Sequence, residues 1–394
     1  MKEIFFIFFL FISVKTLEKY PDSHQLVLND ESSTIDGIIV NSTIINGVSY
    51  SNGIISIKSA GTYILSGSLK GQVFISAGRE DKVTLVLNDV SIYSESNHAL
   101  RILTAYEIVK NYTYSYSYAK SLNGNDVGMK IIIADGTKNK IEGKRSVSAD
   151  GAIRSLVSFL ITGEKKGDGV LYIIGKKEGI EAQKFLFING GILNIAAQDD
   201  GINIKGKYFC IINGGKILIN SGLGKEGDGI DSNGSILING GEIIAAGNPL
   251  EDDGLNIVDD IIIDGGNVFS VGCNTDTASP LCSQPTMNLF FSMTIISSST
   301  ITIKDSDGNE IMGYCADTED FISGTNRRSY TAAVVSHSSF KVNFVYHLYL
   351  DGVQLGFTRN DKNSNVSEGS DFFIKTDFIL GPGATDFSGI QKAI

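Results

Sequence analysis

The sequence predicts an all-β fold: a right-handed parallel β-helix (solenoid) followed by a small C-terminal antiparallel β domain or cap. Three observations carry the prediction. First, Asn189-Gly190-Gly191, Asn213-Gly214-Gly215, Asn239-Gly240-Gly241 and Asp264-Gly265-Gly266 recur at spacings of 24, 26 and 25 residues, a period of about one solenoid turn. Second, residues after each Gly-Gly alternate. Leu193, Ile217, Ile243 and Val268, then Ile195, Ile219, Ala245 and Ser270, form inward columns, while Ile192, Lys216, Glu242 and Asn267 face outward. Third, Asp200-Gly201-Ile202, Asp228-Gly229-Ile230 and Asp253-Gly254-Leu255 fall between these signatures. Each turn adds about 4.8 Å by parallel pairing, and parallel crossovers are right-handed as a rule.

In chain order, Lys2 precedes the apolar run Ile4–Val14, which reads as a signal-peptide core too short to span a bilayer. Residues 1–16 are assigned to that signal, 17–274 to the helix domain and 275–394 to the C-terminal β domain and tail. With that signal and no later segment of membrane-spanning length, the mature chain is expected to be secreted with no membrane span; a monomer is the expected state. Residues 22–108 read as short strands between Gly and Asn turns, such as 62–67, 72–76 and 82–92. Residues 109–128 interrupt the pattern with Tyr112, Tyr114, Tyr116 and Tyr118. If extended, these rings share one face and could stack on sugars, with Tyr114 and Tyr116 at its centre; the alternative is an inserted loop of biased composition. Residues 129–145 form a strand–turn–strand unit, and regular rungs begin at 146. Asn189, Asn213, Asn239 and Asp264 stack at one corner as a side-chain ladder serving the turns.

After about residue 275 the repeat stops. Residues 299–311 read as a hairpin turning at Asp307-Gly308, and 340–359 as two strands around Asp351-Gly352. Such a unit would cover the open end of the solenoid. Cys273 and Cys282 flank a loop containing Pro280, a placement compatible with a disulfide. Zinc is not expected, since neither CxxC nor a Cys/His pair at zinc spacing occurs. Sequons start at Asn41, Asn111, Asn233 and Asn365; Asn233 sits in an expected tight turn.

The net charge is −11, and residues 199–260 hold eleven acids against four bases. No basic stripe points to nucleic acid. Glu178-Gly-Ile-Glu181, Asp200-Gly-Ile-Asn203, Asp228-Gly-Ile-Asp231 and Asp253-Gly-Leu-Asn256 share one frame, and Asp199 and Asp252 add carboxylates to two of them. Stacked about 5 Å apart, such oxygens repel unless a cation relieves them. Ca²⁺ accepts this oxygen donor set. The competing reading is that Asp-Gly only makes tight turns. Open calcium positions could accept the carboxylates of a polyuronate such as polygalacturonate.

GTYILSG, LVLNDVSI, the DDGI and NGG rungs, GDGIDSNGSILINGGEI and TITIKDSDGNEI together resemble the bacterial-type secreted carbohydrate-binding β-helix family related to family 9 pectate lyases. The resemblance spans nearly the whole mature chain. It implies a right-handed parallel β-helix, calcium, and affinity for acidic plant polysaccharide (pectin). By its D-D-G-x-[DN] pattern the metal ligands are Asp199, Asp200, Asn203, Asp228, Asp231, Asp252, Asp253 and Asn256, two of them Asn in place of Asp. The tyrosine insertion departs from the pattern.

A polyuronate lyase needs a base for the proton α to the sugar carboxylate. In the related lyases that Lys follows the carboxylate cluster, yet no Lys or Arg lies between Glu226 and Ile303 here. Upstream candidates are Lys184, Lys205, Lys207 and Lys225, with Lys205 nearest a ligand. Lys205, Lys207 and Lys225 are also candidates for substrate contact. The expectation is therefore a calcium-dependent binder of acidic polysaccharide; a pectate lyase and a structural or adhesive surface protein are the alternatives.

Overall fold

The computed structural model describes residues 19–109, 115–144, 150–358, 374–375 and 377–392. The expected signal peptide, Tyr112, Tyr114, and the sequons at Asn111 and Asn365 lie outside these residues. The fold is all-β with almost no helix. No helix among the described residues is long and apolar enough to cross a membrane.

Three parallel ladders run through the N-terminal two thirds. One pairs Gly61–Lys70, Val83–Ser94, Met129–Ile133, Phe159–Gly163, Leu186–Ile188, Phe209–Ile212, Ser235–Ala246 and Ile261–Gly272 in succession. A second leaves Val83–Ser94 through Lys138–Gly143, Val170–Gly175, Ile192–Ala197 and Lys216–Asn220, and rejoins Ser235–Ala246. The third joins Ile54–Ile57, Gln72–Ser76, Leu100–Thr104, Gly151–Ser155, Glu178–Ala182, Ile202–Ile204, Ile230–Ser232 and Leu255–Ile257.

Register follows the alternation in the sequence. Leu193 lies opposite Ile217, Ile217 opposite Ile243, and Ile243 opposite Val268. All four are fully buried. Each such aliphatic, taken out of water, contributes about 1.5–3 kcal/mol. The second Gly of each Asn-Gly-Gly carries positive φ, from +84° at Gly191 to +101° at Gly241. A side chain there would be strained, so glycine is what lets the corner repeat.

The outward face of the second ladder is not solvated throughout. Leu218, Ile244, Phe269 and Val271 are buried in one cluster with Leu289, Ile301, Tyr314, Tyr330 and Phe378 from the C-terminal part. Tyr330–Ser336 pairs antiparallel with Ile261–Gly272, covering the edge left after the last parallel strand. Hairpins Ile301–Asp305 with Glu310–Tyr314, and Val345–Leu350 with Val353–Thr358, follow the sequence reading. One C-terminal pair, Thr286–Ile295 with Ala384–Lys392, is parallel, so this part is mixed rather than purely antiparallel.

One open alternative is narrowed and one local expectation is corrected. The tyrosine row is not an extended strand where it is described: Tyr116 and Tyr118 lie in a short helix, Tyr116–Ser121, started by Ser115, whose side chain accepts the Tyr118 N–H. Cys273 and Cys282 form no disulfide, and all four cysteines are free. Cys282 is buried and its Sγ accepts the Ile263 N–H at 3.2 Å, while Cys273 remains half-buried.

Candidate functional site

The acidic turns lead into the strands of the third ladder, and neighbouring turns are joined backbone to backbone. Gly179 N–H donates to Asp200 O, Gly201 N–H to Asp228 O, and Gly229 N–H to Asp253 O, each at 2.9 Å. The carboxylates of the same residues continue the staircase. Asp200 Oδ1 accepts the Asp228 N–H at 2.9 Å, Asp228 Oδ1 accepts the Asp253 N–H at 2.7 Å, and Asp253 Oδ1 accepts the Asn274 N–H at 3.1 Å. Asp252 Oδ2 takes the Gly227 N–H at 2.7 Å. The fourth position of the frame stacks in register: Glu181 opposite Asn203, Asn203 opposite Asp231, and Asp231 opposite Asn256.

Turn chemistry therefore uses one oxygen each of Asp200, Asp228, Asp252 and Asp253. The second oxygens separate the eight sequence-predicted ligands into groups. Asp228 Oδ2 accepts from Asn256 Nδ2 at 2.9 Å, and Asp200 Oδ2 accepts from Asn203 Nδ2. Asn203 Oδ1 is left buried without a partner. Each of the two amides thus donates a hydrogen bond to the acid that begins a frame, a role with no signal in the sequence.

Among the described residues, ligand oxygens of Glu178, Asp199 and Asp200 form the group lying within 4.8 Å of one another. Glu178 is fully buried, and its Oε2 has no partner. Its Oε1 is shared by Lys177 and Lys205, both with Nζ at 3.3 Å. Lys177 also holds Asp150 at 2.9 Å. Glu178 is not among the eight ligands that the D-D-G-x-[DN] pattern selects. It occupies the first position of the aligned frame, but it is Glu where the pattern has Asp, and Glu181 stands where the pattern has Asp or Asn.

Crowding shows in the acidities. Burial, then Asp200 and Glu178, raise the Asp199 carboxyl to about 6. Burial raises Asp228 to about 8 against the bonds from Asp253 N–H and Asn256, with Asp200 and Asp252 adding to the rise. Asp231 and Asp253 are pushed to about 6, chiefly by burial. Asp200 is raised as well, mainly by burial. Such groups prefer to be neutral unless positive charge is brought to them.

Of the candidate bases, Lys205 reaches the cluster. Lys207 and Lys225 are exposed, and Lys184 pairs with Glu107 at 3.2 Å. His98 is buried, with Nδ1 2.6 Å from Gly151 O. Asn233 donates Nδ2 to Lys205 O at 2.8 Å across its turn.

At the opposite corner, Asn213 Nδ2 donates to Asn189 Oδ1 and Asn239 Nδ2 to Asn213 Oδ1, both at 2.8 Å. Asp264 does not continue the ladder as the sequence suggests: the register slips there and sets Asn239 opposite Gly265, and the Asp264 carboxylate bonds elsewhere. Its Oδ2 accepts from Tyr116 Oη at 2.6 Å and Lys120 Nζ at 2.8 Å, and its Oδ1 from Ser283. Its carboxyl is held down to about 2: bonds from Lys120, Tyr116 and Ser283 outweigh the upward push of burial. Tyr116 therefore anchors the insertion over Phe187, Phe209, Leu237 and Ile262 instead of presenting an open ring.

A family model described as carbohydrate-binding domain-containing protein matches residues 51–115 and 122–345. The match skips 116–121, the span of the insertion's helix. No curated protein matches the chain. A solved structure described as the polysaccharide lyase-like protein from C. thermocellum, gadolinium derivative, is similar at 21% identity, covering 62% of this chain and 93% of that chain, with a TM-score of 0.43.

Proposed function

The chain belongs to the family of carbohydrate-binding domain-containing proteins, and on that premise we propose that it is a secreted, monomeric, calcium-dependent binder of acidic polysaccharide such as polygalacturonate. In this reading the three parallel ladders are the faces of a right-handed parallel β-helix related to pectate lyases, and the polysaccharide lies along its flank.

One observation carries the reading: Glu178, Asp199 and Asp200 converge within 4.8 Å. The donor set suits a hard divalent cation, which takes roughly six to eight oxygens. Glu178 Oε2, Glu181 Oε2 and Asn203 Oδ1 are buried without partners, so oxygen donors are to hand that the protein itself does not satisfy. Glu178, Asp199 and Asp200 would hold the ion, with Asn203 and Asp231 next to them. Asp228, Asp252, Asp253 and Asn256 extend the acidic row and already hold neighbouring turns. A calcium ion bound there supplies positive charge for a sugar carboxylate.

Binding without turnover is favoured because Lys205 lies 3.3 Å from the Glu178 carboxylate. An ammonium held by an ion pair is a poor proton acceptor. The same proximity keeps a pectate lyase as the second reading, since Lys205 is the one predicted base beside the carboxylates.

The test is retention on polygalacturonate with calcium and with chelator, following ultraviolet absorbance of unsaturated product. Retention lost on chelation, without product, is expected. Product that rises with calcium and disappears in Lys205→Ala would establish the lyase. With neither signal, the proposal fails and a structural or adhesive role takes its place.

A further inference from the structure

The outward column that carries Asn203 and Asp231 continues in the other direction with the opposite charge. Phe74 lies opposite Arg101, Arg101 opposite Arg154, and Arg154 opposite Glu181. One line of side chains thus passes from an aromatic ring through two arginines to the acids and amides of the candidate metal row. Neighbouring strands lie about 4.8 Å apart, so two like-charged guanidinium groups are set side by side.

The protein does not fully satisfy them. Arg101 Nε and Arg154 Nε are buried without a hydrogen-bond partner. Arg154 Nε is 3.5 Å from Glu181 Oε1, an ion pair without hydrogen-bond geometry. Glu181 also accepts from Gln183 at 2.9 Å. Among the described residues no carboxylate is ion-paired with Arg101; its guanidinium carbon sits 5.8 Å from the Phe74 ring centroid. The Arg154 side chain keeps 24% of its surface exposed, and Phe74 and Arg101 are also half-buried. A half-buried guanidinium backed by a ring suits a carboxylate, which it can grip with two parallel N–H bonds.

We propose that Arg101 and Arg154, beside Phe74, form a metal-independent subsite for a sugar carboxylate of a polyuronate. The chain would then be held by guanidinium groups at one part of the column and by the cation-binding carboxylates at the other. This rests on the acidic-polysaccharide reading but not on calcium, because arginine needs no metal to bind a carboxylate.

The experiment is affinity electrophoresis of the full chain in polygalacturonate and in its methyl ester, each with calcium and with chelator. Arg101→Gln leaves the Arg154–Glu181 pair in place and is the variant least prone to misfold; Arg101→Lys keeps the charge without the fork. Expected are residual retention of the wild type in chelator, its absence on the methyl ester, and an affinity loss of about tenfold or more in Arg101→Gln, partly recovered in Arg101→Lys. Equal retention of wild type and Arg101→Gln in chelator and in calcium overturns the subsite while leaving calcium-dependent binding intact. Arginine-dependent retention that calcium does not alter upholds the subsite and removes the calcium reading. No retention of the wild type under any condition removes both.

Discussion

Asp228 gives the sharpest test of what the carboxylate row costs the fold. It is 5% exposed, and burial raises its carboxyl to about 8, against about 4 in an unfolded chain. A carboxyl raised by folding adds its full share of stability below the unfolded value and loses it as pH climbs toward the folded one. At pH 7 the unfolded group is ionised while the folded one is mostly protonated. The difference amounts to about 4 kcal/mol as an upper bound. Asp228→Asn removes this term and keeps Oδ1 as acceptor for the Asp253 N–H, but the Asn256 amide must turn to face the new NH₂. A net stabilisation of about 2–4 kcal/mol at pH 7, with chelator present, is therefore expected, vanishing near pH 4. Thermal melting of both proteins at several pH values between about 4 and 8 reads it as a widening gap of several degrees. If the two melting curves shift in parallel across that range, Asp228 ionises freely in the folded protein and the argument from burial is wrong.

Other expectations follow from single contacts. Calcium should raise the melting temperature of the wild type, by an amount set by occupancy (about 3 kcal/mol at a hundredfold excess over Kd), and Glu178→Gln should blunt the rise; an equal rise in both proteins would move the ion away from Glu178. Tyr116→Phe loses the 2.6 Å bond to Asp264 and should cost about 1–2 kcal/mol, with faster proteolysis of the insertion; unchanged cleavage and melting would show the anchor to be idle. Asn213→Ala breaks two ladder bonds and should cost about 1–2 kcal/mol in chemical denaturation, whereas a neutral result would make the ladder decorative. Because Cys273 and Cys282 are free thiols, reductant should leave the melting temperature unchanged, and a clear drop would mean that the pair oxidises in solution.

The all-β class, the parallel pairing and its register are legible because a 25-residue period forces equivalent side chains into columns. The period by itself is enough to set Leu193, Ile217, Ile243 and Val268 opposite one another. What the sequence hides depends on contacts far along the chain. The alternating tyrosines mimic a strand, but Ser115 caps a helical turn and Asp264, 148 residues from Tyr116, fixes where that turn sits. Glu178 stands in the frame, but a ligand pattern written with Asp at its first position and Asp or Asn at its fourth does not reach Glu178 and Glu181. The division of labour inside the carboxylates, one oxygen for the next backbone N–H and one for an Asn amide, has no sequence signal beyond the Asn residues themselves. Arg101 and Arg154 escape a sequence reading because the repeat is too degraded there for the frame to be followed back.

The register has a consequence for how such a molecule can change its length. Successive partners along the acidic staircase are 28 and then 25 residues apart, while those along the Asn ladder are 24 and then 26 apart, yet the strands between them stay aligned residue for residue. Slack is taken up in connecting loops such as 222–227 and 247–252 and in the bulge at Asn239, while the strands of the third ladder from Glu178–Ala182 onward behave as a reading frame. A single residue added just ahead of Ile230, with the pairing held in place, would set Ile230 on the outer column where Asp231 stands and turn the Asp231 charge into the core. A whole repeat added at a loop would leave every column intact and lengthen the array of oxygens by one step. Such a chain can grow by duplication of complete repeats, with tinkering tolerated in the connections and forbidden along the paired strands.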